Sequence, residues 1–296
     1  MTLRCLFDVA APAKLNLFLH VVGRRADGYH LLQSLFVLID WCDTLHFELR
    51  ADGRLVRHDL DVALPPDDLC LRAARALQAE SGTSLGADIS IAKRVPWGAG
   101  LGGGSSDAAS TLLALNQLWG LHWPRARLQA LGLRLGADVP FFVGGRNAIV
   151  EGIGERLTPV PVPRQWLAVL KPAANLETRV IFASPLPVRN TEAAILESFA
   201  ANCEIAGQKL VFDAGFGAND LQAAAQAECA QVAQAAAVLH RQFGNSRMTG
   251  SGSAVFARAG TGAEPSAAMP ANGVPGWVGR MCRSLDEHQL VGWAAD

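Results

Sequence analysis

A glycine-rich segment at residues 96–106 constrains this chain more than any other feature. It reads Pro-Trp-Gly-Ala-Gly-Leu-Gly-Gly-Gly-Ser-Ser, and five of its central seven residues are glycine. It follows residues 88–95, which we predict as a strand that ends at Pro96. It precedes residues 105–119, where apolar side chains recur at helical spacing. The pattern therefore predicts a strand, a loop almost without side chains and a helix in direct succession.

This loop has the chemistry of a polyphosphate site. Without side chains, its backbone N–H groups can converge on one point. The first N–H groups of the following helix are unpaired and lie at the positive end of its dipole. Ser105 and Ser106 add hydroxyl donors. We therefore interpret the loop as a phosphate-binding element and not as a flexible linker.

Two familiar nucleotide motifs do not fit this loop in full. The run Gly98-Ala-Gly-Leu-Gly-Gly103 satisfies the dinucleotide pattern GxGxxG. That pattern requires an acid about 20 residues further on to hold a ribose, but after Asp107 the next acid is Asp138. A Walker A loop requires Lys directly after its last glycine, and Ser105 stands there.

Composition limits the class of protein. The 296 residues are 50% hydrophobic and 18% charged, which is typical of a globular chain large enough for two domains. The net charge of -1 gives no bulk positive field, so we expect neither nucleic acid nor a membrane as a partner. No apolar run approaches the roughly 18 residues needed to cross a bilayer. Six cysteines without a CxxC pair indicate reduced thiols of a cytoplasmic protein; they are Cys5, Cys42, Cys70, Cys203, Cys229 and Cys282.

Strand-like and helix-like patterns do not alternate regularly along the chain, which predicts an α+β fold. A proline-rich segment, residues 158–164, divides it into domains that we predict at residues 1–158 and 159–296. The predicted strands are residues 13–22, 31–39, 88–95, 139–143, 166–170 and 254–257, and the predicted helices are residues 69–80, 105–119, 124–135 and 221–239.

Three further segments carry polar residues in unusual places. Lys14 and Asn16 share one face of an otherwise apolar strand, about 7 Å apart. This pair indicates either a functional site or a solvated strand edge. Asp138 lies between a helix end and an apolar stretch, where it is either catalytic or a helix cap. Residues 248–253, Met-Thr-Gly-Ser-Gly-Ser, form a second loop of small residues, or only a tight turn.

Taken together, these segments resemble the GHMP kinase superfamily. Residues 12–16 are similar to its first motif, residues 96–106 to its ATP loop and residues 249–253 to its third motif. The resemblance implies a two-lobed α+β fold with the active site in the cleft between the lobes. It also implies ATP as co-substrate, with Mg²⁺ expected because ATP chemistry nearly always uses it.

The resemblance is to one group of members in particular, and it rests on residues 13–19, 25–30 and 135–140. They are similar to members that phosphorylate the 2-hydroxyl of a cytidine-diphosphate-linked methylerythritol, a small molecule of non-mevalonate isoprenoid synthesis. The alternative is another small-molecule kinase of the superfamily, such as a homoserine or mevalonate kinase, although the segment Ala26-Asp-Gly-Tyr-His30 argues against both. A nicotinamide dehydrogenase stays formally open because of the GxGxxG match.

The resemblance assigns roles to individual residues. Lys14 and Asp138 match catalytic positions, and their chemistry agrees, because a carboxylate beside an ammonium can accept the proton of an attacking hydroxyl. The ATP-binding candidates are Lys93, Pro96, Trp97, Gly98, Ala99, Gly100, Leu101, Gly102, Gly103, Gly104, Ser105 and Ser106. The substrate-binding candidates are Asn16, Tyr29, His30, Thr178, Phe182, Gly250 and Ser251. Asp68 and Asp107 stand where some relatives carry Asn, and the departure at Asp68 leaves the adenine contacts unassigned. The sequence also does not assign the Mg²⁺ ligands or the oligomeric state.

Overall fold

The computed structural model describes residues 3–186, 191–192, 217–270 and 273–296. Within these ranges the chain forms two β-sheets and their covering helices, which confirms the predicted α+β class. The strands are β1 (Cys5–Arg24), β2 (His30–Arg50), β3 (Leu55–Asp59), β4 (Gly86–Ala92), β5 (Ala148–Gly152), β6 (Arg156–Pro159), β7 (Trp166–Lys171), β8 (Arg247–Met248), β9 (Val255–Arg258) and β10 (Val278–Arg283). The helices are α1 (Leu69–Ser81), α2 (Gly103–Leu118), α3 (Arg125–Leu133), α4 (Val139–Gly144), α5 (Thr178–Ala183), α6 (Gln222–Glu228) and α7 (Ala230–Phe243), with a 3₁₀ turn at Val291–Trp293.

The larger sheet is built around the long strand β2. In the described part of the chain its order is β3-β4-β2-β5-β6, and β1 also pairs with β2 along most of its length. Strands β3 and β4 run parallel, whereas the other pairs of this sheet are antiparallel. The smaller sheet has the order β10-β7-β9-β8.

Burial orders these elements into layers. Helices α1 and α2 cover one face of the larger sheet, where Leu112 and Phe47 belong to one apolar cluster. The smaller sheet packs against the opposite face, and Leu15 shares a second cluster with Val169. Helices α6 and α7 cover the smaller sheet. Strand β1 is therefore buried on both faces, and a polar side chain on it is removed from bulk water.

Two of the local predictions were wrong, and strand β1 departs from simple alternation. Residues 139–143 form helix α4, because Pro140 at the second helical position needs no N–H partner there. Residues 221–239 form two helices, because the chain turns extended at Cys229. In β1 the register shifts between Asn16 and Leu19, so Phe18 joins the apolar cluster and not the polar face with Lys14.

The chain passes from the larger sheet to the smaller sheet within the proline-rich segment, between β6 and β7. Residues 284–296 return to the first half, where the Arg125 guanidinium donates to the carbonyl oxygens of Val291 and Ala294. The boundary at residues 158/159 stays a prediction. Among the described residues no helix is long and apolar enough to cross a membrane. Five cysteines are free thiols, and Cys203 lies outside the described residues.

Candidate active site

Lys14 is buried at the junction of the two sheets. Its Nζ donates to Asn16 Oδ1 at 2.6 Å and lies 4.6 Å from the centroid of the Phe36 ring. Asp138 Oδ2 lies 3.7 Å away. Burial lowers the pKa of Lys14 from its ordinary value, and the charge of Asp138 opposes that shift. The ammonium therefore depends on its few polar neighbours to remain charged.

Asp138 directly precedes α4, but its side chain makes no capping hydrogen bond to that helix. Its carboxylate is about one-third exposed, and it borders the same pocket as Lys14. A carboxylate held near an ammonium at a pocket wall is placed to meet a ligand. This geometry favours the catalytic interpretation of Asp138 over the capping one.

The glycine loop is hydrogen-bonded to both halves of the chain. The N–H of Lys14 donates to Leu101 O at 2.9 Å, and the N–H groups of Ser253 and Ala254 donate to Gly98 O and Ala99 O. Gly100 has a φ of +74°, and a Cβ there would overlap the carbonyl oxygen of Thr249. Only glycine allows this close approach of the two backbones.

An open cleft lies along this loop. The residues that line it are Leu69, Pro96, Trp97, Gly98, Ala99, Gly100, Leu101, Gly102, Gly103, Gly104 and Ser105. The structure thus brings ten of the ATP-binding candidates to one wall, at the N-terminus of the 16-residue helix α2. Ser106 is fully buried, and its Oγ has no hydrogen-bond partner among the described residues.

Lys93 does not line the cleft. Its ammonium lies between Asp43 and Asp107 Oδ2, the latter at 2.5 Å, and all three side chains are buried. Asp43 Oδ1 also accepts the backbone N–H groups of Arg94 and Val95, which lead into the glycine loop. Burial would lower the pKa of Lys93, but the two carboxylates outweigh it and raise this pKa. Burial raises the pKa of Asp107 well above its ordinary value.

A second pocket adjoins this cleft at Gly100 and Gly102, which line both. The candidates that line this pocket are Lys14, Asn16, Asp138, Thr178, Phe182, Gly250 and Ser251. Thr178 and Ser251 are hydrogen-bonded through their hydroxyl groups at 2.8 Å. The glycine loop therefore separates a cleft suited to a polyphosphate from a pocket that contains a carboxylate and an ammonium.

Phe182 lines the pocket, and His30, which is not among the lining residues, packs against it. The rings of His30 and Phe182 stack at a centroid distance of 5.2 Å. Tyr29 is 62% exposed and does not line the pocket, although its neighbour His30 reaches Phe182. The structure thus brings His30 and Phe182 together from opposite halves of the chain.

Asp68 is already occupied by local contacts. It caps α1 by accepting the N–H groups of Cys70 and Leu71, and it pairs with Arg57 at 2.6 Å. Among the described residues, no group of three or more His, Cys, Asp or Glu is placed to hold a metal ion.

Several polar residues of the site were missed by sequence reasoning. Ser34 accepts from the amide of Asn16, and Thr249 also contacts Asn16. Asn219 donates to the carbonyl oxygens of Met248 and Gly250 in the third loop. The one available signal was a polar side chain in an apolar run, as at Ser34 and Asp43.

Comparisons with known proteins agree with this geometry. The model of the GHMP kinases N terminal domain matches residues 68–146. The 4-diphosphocytidyl-2-C-methyl-D-erythritol kinase of Methylibium petroleiphilum is 67% identical over 99% of this chain and 100% of that protein. The kinase of the same name from Variovorax paradoxus is 56% identical over 99% and 100%.

Solved structures extend the comparison. A 4-(cytidine 5′-diphospho)-2C-methyl-D-erythritol kinase superposes with a TM-score of 0.70 at 34% identity, over 84% of this chain and 89% of that one. A homoserine kinase from Cytophaga hutchinsonii superposes with a TM-score of 0.65 at 16% identity, over 98% and 96%. At that identity the second likeness shows the fold alone.

The fold and the glycine loop at the start of a helix thus define a GHMP kinase, an ATP-dependent phosphotransferase that acts on a hydroxyl group. The hypothesis of a nicotinamide dehydrogenase is therefore wrong. Within this class, the chain belongs to the family of 4-diphosphocytidyl-2-C-methyl-D-erythritol kinases.

Proposed function

We propose that this protein transfers the γ-phosphoryl group of ATP to the 2-hydroxyl of 4-diphosphocytidyl-2-C-methyl-D-erythritol, a step of non-mevalonate isoprenoid synthesis. The observation that carries the proposal is the pair Lys14–Asp138 in a pocket that meets the loop cleft at Gly100 and Gly102. The names of the relatives supply the substrate.

The nucleotide binds in the loop cleft. The backbone N–H groups of the glycine loop and the first turn of α2 hold the phosphates, with a hydroxyl donor from Ser105, whereas the buried Ser106 does not line the cleft. Trp97 is 46% exposed at the cleft wall, where it covers part of the nucleotide. Lys93 supports the loop through Asp43, which binds the backbone just before Pro96.

The acceptor binds in the second pocket. Asn16, Thr178, Gly250 and Ser251 face its alcohol and diphosphate, since they line the walls around Lys14. His30 and Phe182 provide an aromatic surface for the cytosine, and Tyr29 next to His30 adds a second one.

Transfer needs a proton acceptor and a fixed line of attack. Asp138 accepts the proton of the 2-hydroxyl as the hydroxyl oxygen attacks the γ-phosphorus, and the bond from the γ-phosphorus to the bridging oxygen breaks to release ADP. The Lys14 ammonium lies 3.7 Å from Asp138 and polarises the same hydroxyl. The N–H groups of the loop stabilise the charge that develops on the transferred group.

The site would take up Mg²⁺ together with ATP. The described residues offer no carboxylate cluster for a resident ion, which fits an ion held mainly by phosphates, waters and one or two protein oxygens. Asp138 is an acid that lines the pocket together with the loop residues Gly100 and Gly102. When bound, the ion would neutralise charge at the phosphates. The scattered cysteines support a cytoplasmic location, and the exclusion of nucleic acid as a partner stays a prediction.

The test measures ADP release from ATP with 4-diphosphocytidyl-2-C-methyl-D-erythritol, and with homoserine and mevalonate as controls. We expect turnover with the cytidine compound alone. Equal or greater turnover with homoserine or mevalonate would overturn the proposal and favour the alternative GHMP kinases. ATP binding without turnover on any acceptor would indicate a nucleotide sensor.

A further inference from the structure

A chain of hydrogen bonds leads from the backbone of β1 to the catalytic ammonium. The Ser34 hydroxyl on β2 lies 2.5 Å from the carbonyl oxygen of Phe18 and 2.9 Å from Asn16 Nδ2. The other end of the Asn16 amide lies 2.6 Å from Lys14 Nζ. All of these side chains except Phe18 are polar, and each is 3% exposed or less. Water is therefore not available to replace a missing partner.

The direction of every hydrogen bond in this series follows from its two ends, the carbonyl oxygen of Phe18 and the ammonium of Lys14. A backbone carbonyl can only accept, so the Ser34 proton points to Phe18 O. The Ser34 oxygen then has only lone pairs to offer, so it must face the NH₂ group of Asn16. An ammonium can only donate, so Lys14 must face Asn16 Oδ1. Both ends thus require the same orientation of the amide.

Thr249 enforces this orientation independently. Its Oγ1 accepts the backbone N–H of Asn16 at 2.9 Å, and its own proton points to Asn16 Oδ1 at 3.2 Å. With the amide reversed, the NH₂ group would face both the ammonium and the threonine proton. Its oxygen would then face a serine oxygen without a proton to give.

We propose that Ser34 is a positioning residue of the phosphoryl transfer: it anchors the Asn16 amide so that Oδ1 holds the Lys14 ammonium beside Asp138. The inference rests on the proposed function for the roles of Lys14 and Asp138. One N–H of the ammonium is bound by Asn16, and Asp138 and the Phe36 ring border the rest of its surroundings. If the Asn16 amide is not held in place, the Lys14 ammonium can move away from Asp138, whose Oδ2 already lies 3.7 Å from Lys14 Nζ.

The test compares Ser34→Ala with Ser34→Thr. Alanine removes the acceptor of the Asn16 NH₂ group, and we expect kcat to fall about tenfold while the KM for ATP changes less than twofold. Threonine restores the hydroxyl and should restore kcat to within about twofold of the wild type. Ser110→Ala is the matched control, because Ser110 is also buried and donates to a backbone carbonyl, that of Ala10 at 2.9 Å. We expect the control to keep the wild-type kcat.

A double-mutant cycle separates positioning from a general loss of structure. In an Asn16→Ala background Ser34 has no amide to anchor, so adding Ser34→Ala should lower kcat no further. The same fractional loss in both backgrounds would overturn the proposal, as would an unchanged kcat in Ser34→Ala. If Ser34→Ala does not fold, Ser34→Cys keeps the volume with a weak acceptor. Its kcat should lie clearly below that of Ser34→Thr, and equal values would overturn the proposal.

These outcomes differ from a failure of the proposed function. If the wild-type protein does not phosphorylate the cytidine compound, the proposed function fails. If the wild type does so and the Ser34 variants match it, this inference alone fails.

Discussion

Asp138 Oδ2 lies 3.7 Å from Lys14 Nζ, although the two residues are 124 positions apart in the chain. The carboxylate makes no hydrogen bond to the helix that follows it. Helix capping therefore does not account for this side chain, and its place at the pocket wall beside Lys14 supports the proposed catalytic role. The predictions below test that role and the arrangement around it.

The Asp138→Asn variant keeps the shape of the side chain but cannot accept a proton. General-base catalysis typically contributes 10²–10⁴-fold, so we expect kcat to fall by about that factor with little change in the KM for ATP. Steady-state kinetics and a melting curve on one preparation check this. Asp286→Asn is the control, since Asp286 pairs with Arg164 at the surface. A destabilised Asp138→Asn protein with wild-type turnover would return this residue to a structural role.

The Lys14→Met variant should lose activity without losing stability. Burial lowers the pKa of Lys14, so the fold disfavours the charged form and the buried ammonium destabilises it at neutral pH. That penalty disappears as the pH rises through the lowered folded pKa towards the ordinary value. We expect kcat to fall about 10²–10³-fold while Tm at pH 7 is equal or higher. The difference in Tm from the wild type should shrink at alkaline pH. A Tm well below the wild type at pH 7 contradicts this account.

Two glycines at the start of α2 should respond differently to valine. A Cβ at Gly104 would meet only Leu69 Cδ1, at 3.5 Å, and both residues line the loop cleft. Gly104→Val should therefore raise the KM for ATP more than tenfold with little change in Tm. At Gly103 a Cβ would lie 3.1 Å from Val95, so Gly103→Val should also lower Tm. Gly292→Ala, at an open position, is the control. Normal ATP affinity in a folded Gly104→Val protein would place the nucleotide elsewhere.

Tyr29 tests the cytosine site. If its ring stacks on the base, Tyr29→Ala should lose about 1–3 kcal/mol of binding to the cytidine substrate. The KM for ATP should stay the same. Phe7→Ala is the matched control, since Phe7 on β1 is about as exposed as Tyr29 and does not line the pocket. An unaltered KM for the cytidine substrate removes Tyr29 from the binding site.

In the buried group formed by Asp43, Lys93 and Asp107, we expect Asp107→Asn to preserve the stability of the fold and Asp43→Asn to lower it. Asp107 has a raised pKa, and its Oδ1 has no hydrogen-bond partner among the described residues. Because the raised pKa makes stability fall as the pH rises, Asp107→Asn should match or exceed the wild-type Tm at pH 8. Asp43 accepts two backbone N–H groups and the ammonium, so Asp43→Asn should cost about 3–5 kcal/mol. Denaturant unfolding of both variants checks this order, and a reversed order contradicts it.

The elements that sequence reasoning found are those in which the signal is local. The glycine loop and the start of α2 are contiguous in the sequence. A run of glycines there indicates that the backbone approaches another group closely. Lys14 and Asn16 are two positions apart, so strand geometry alone places them together. The apolar run at residues 139–143 has no such signal, because five apolar residues suit a buried strand and a buried helix equally.

The remaining parts of the site depend on long-range contacts. Thr249 reaches Asn16 across 233 positions, and Lys93 reaches Asp43 across 50. No spacing rule connects such residues in one sequence. The bulge in β1 between Asn16 and Leu19 is equally invisible, because the contribution of Phe18 to the core follows from the sheets that enclose it.

The glycine loop also determines how the two halves of this enzyme can move. It is bonded to β1 through Leu101 and to the third loop through Gly98 and Ala99, so a wide hinge opening would break backbone hydrogen bonds on both sides. The two sheets also share one apolar cluster along β1. A wide opening between the two halves would therefore both break these backbone hydrogen bonds and expose the apolar side chains of that shared cluster to water.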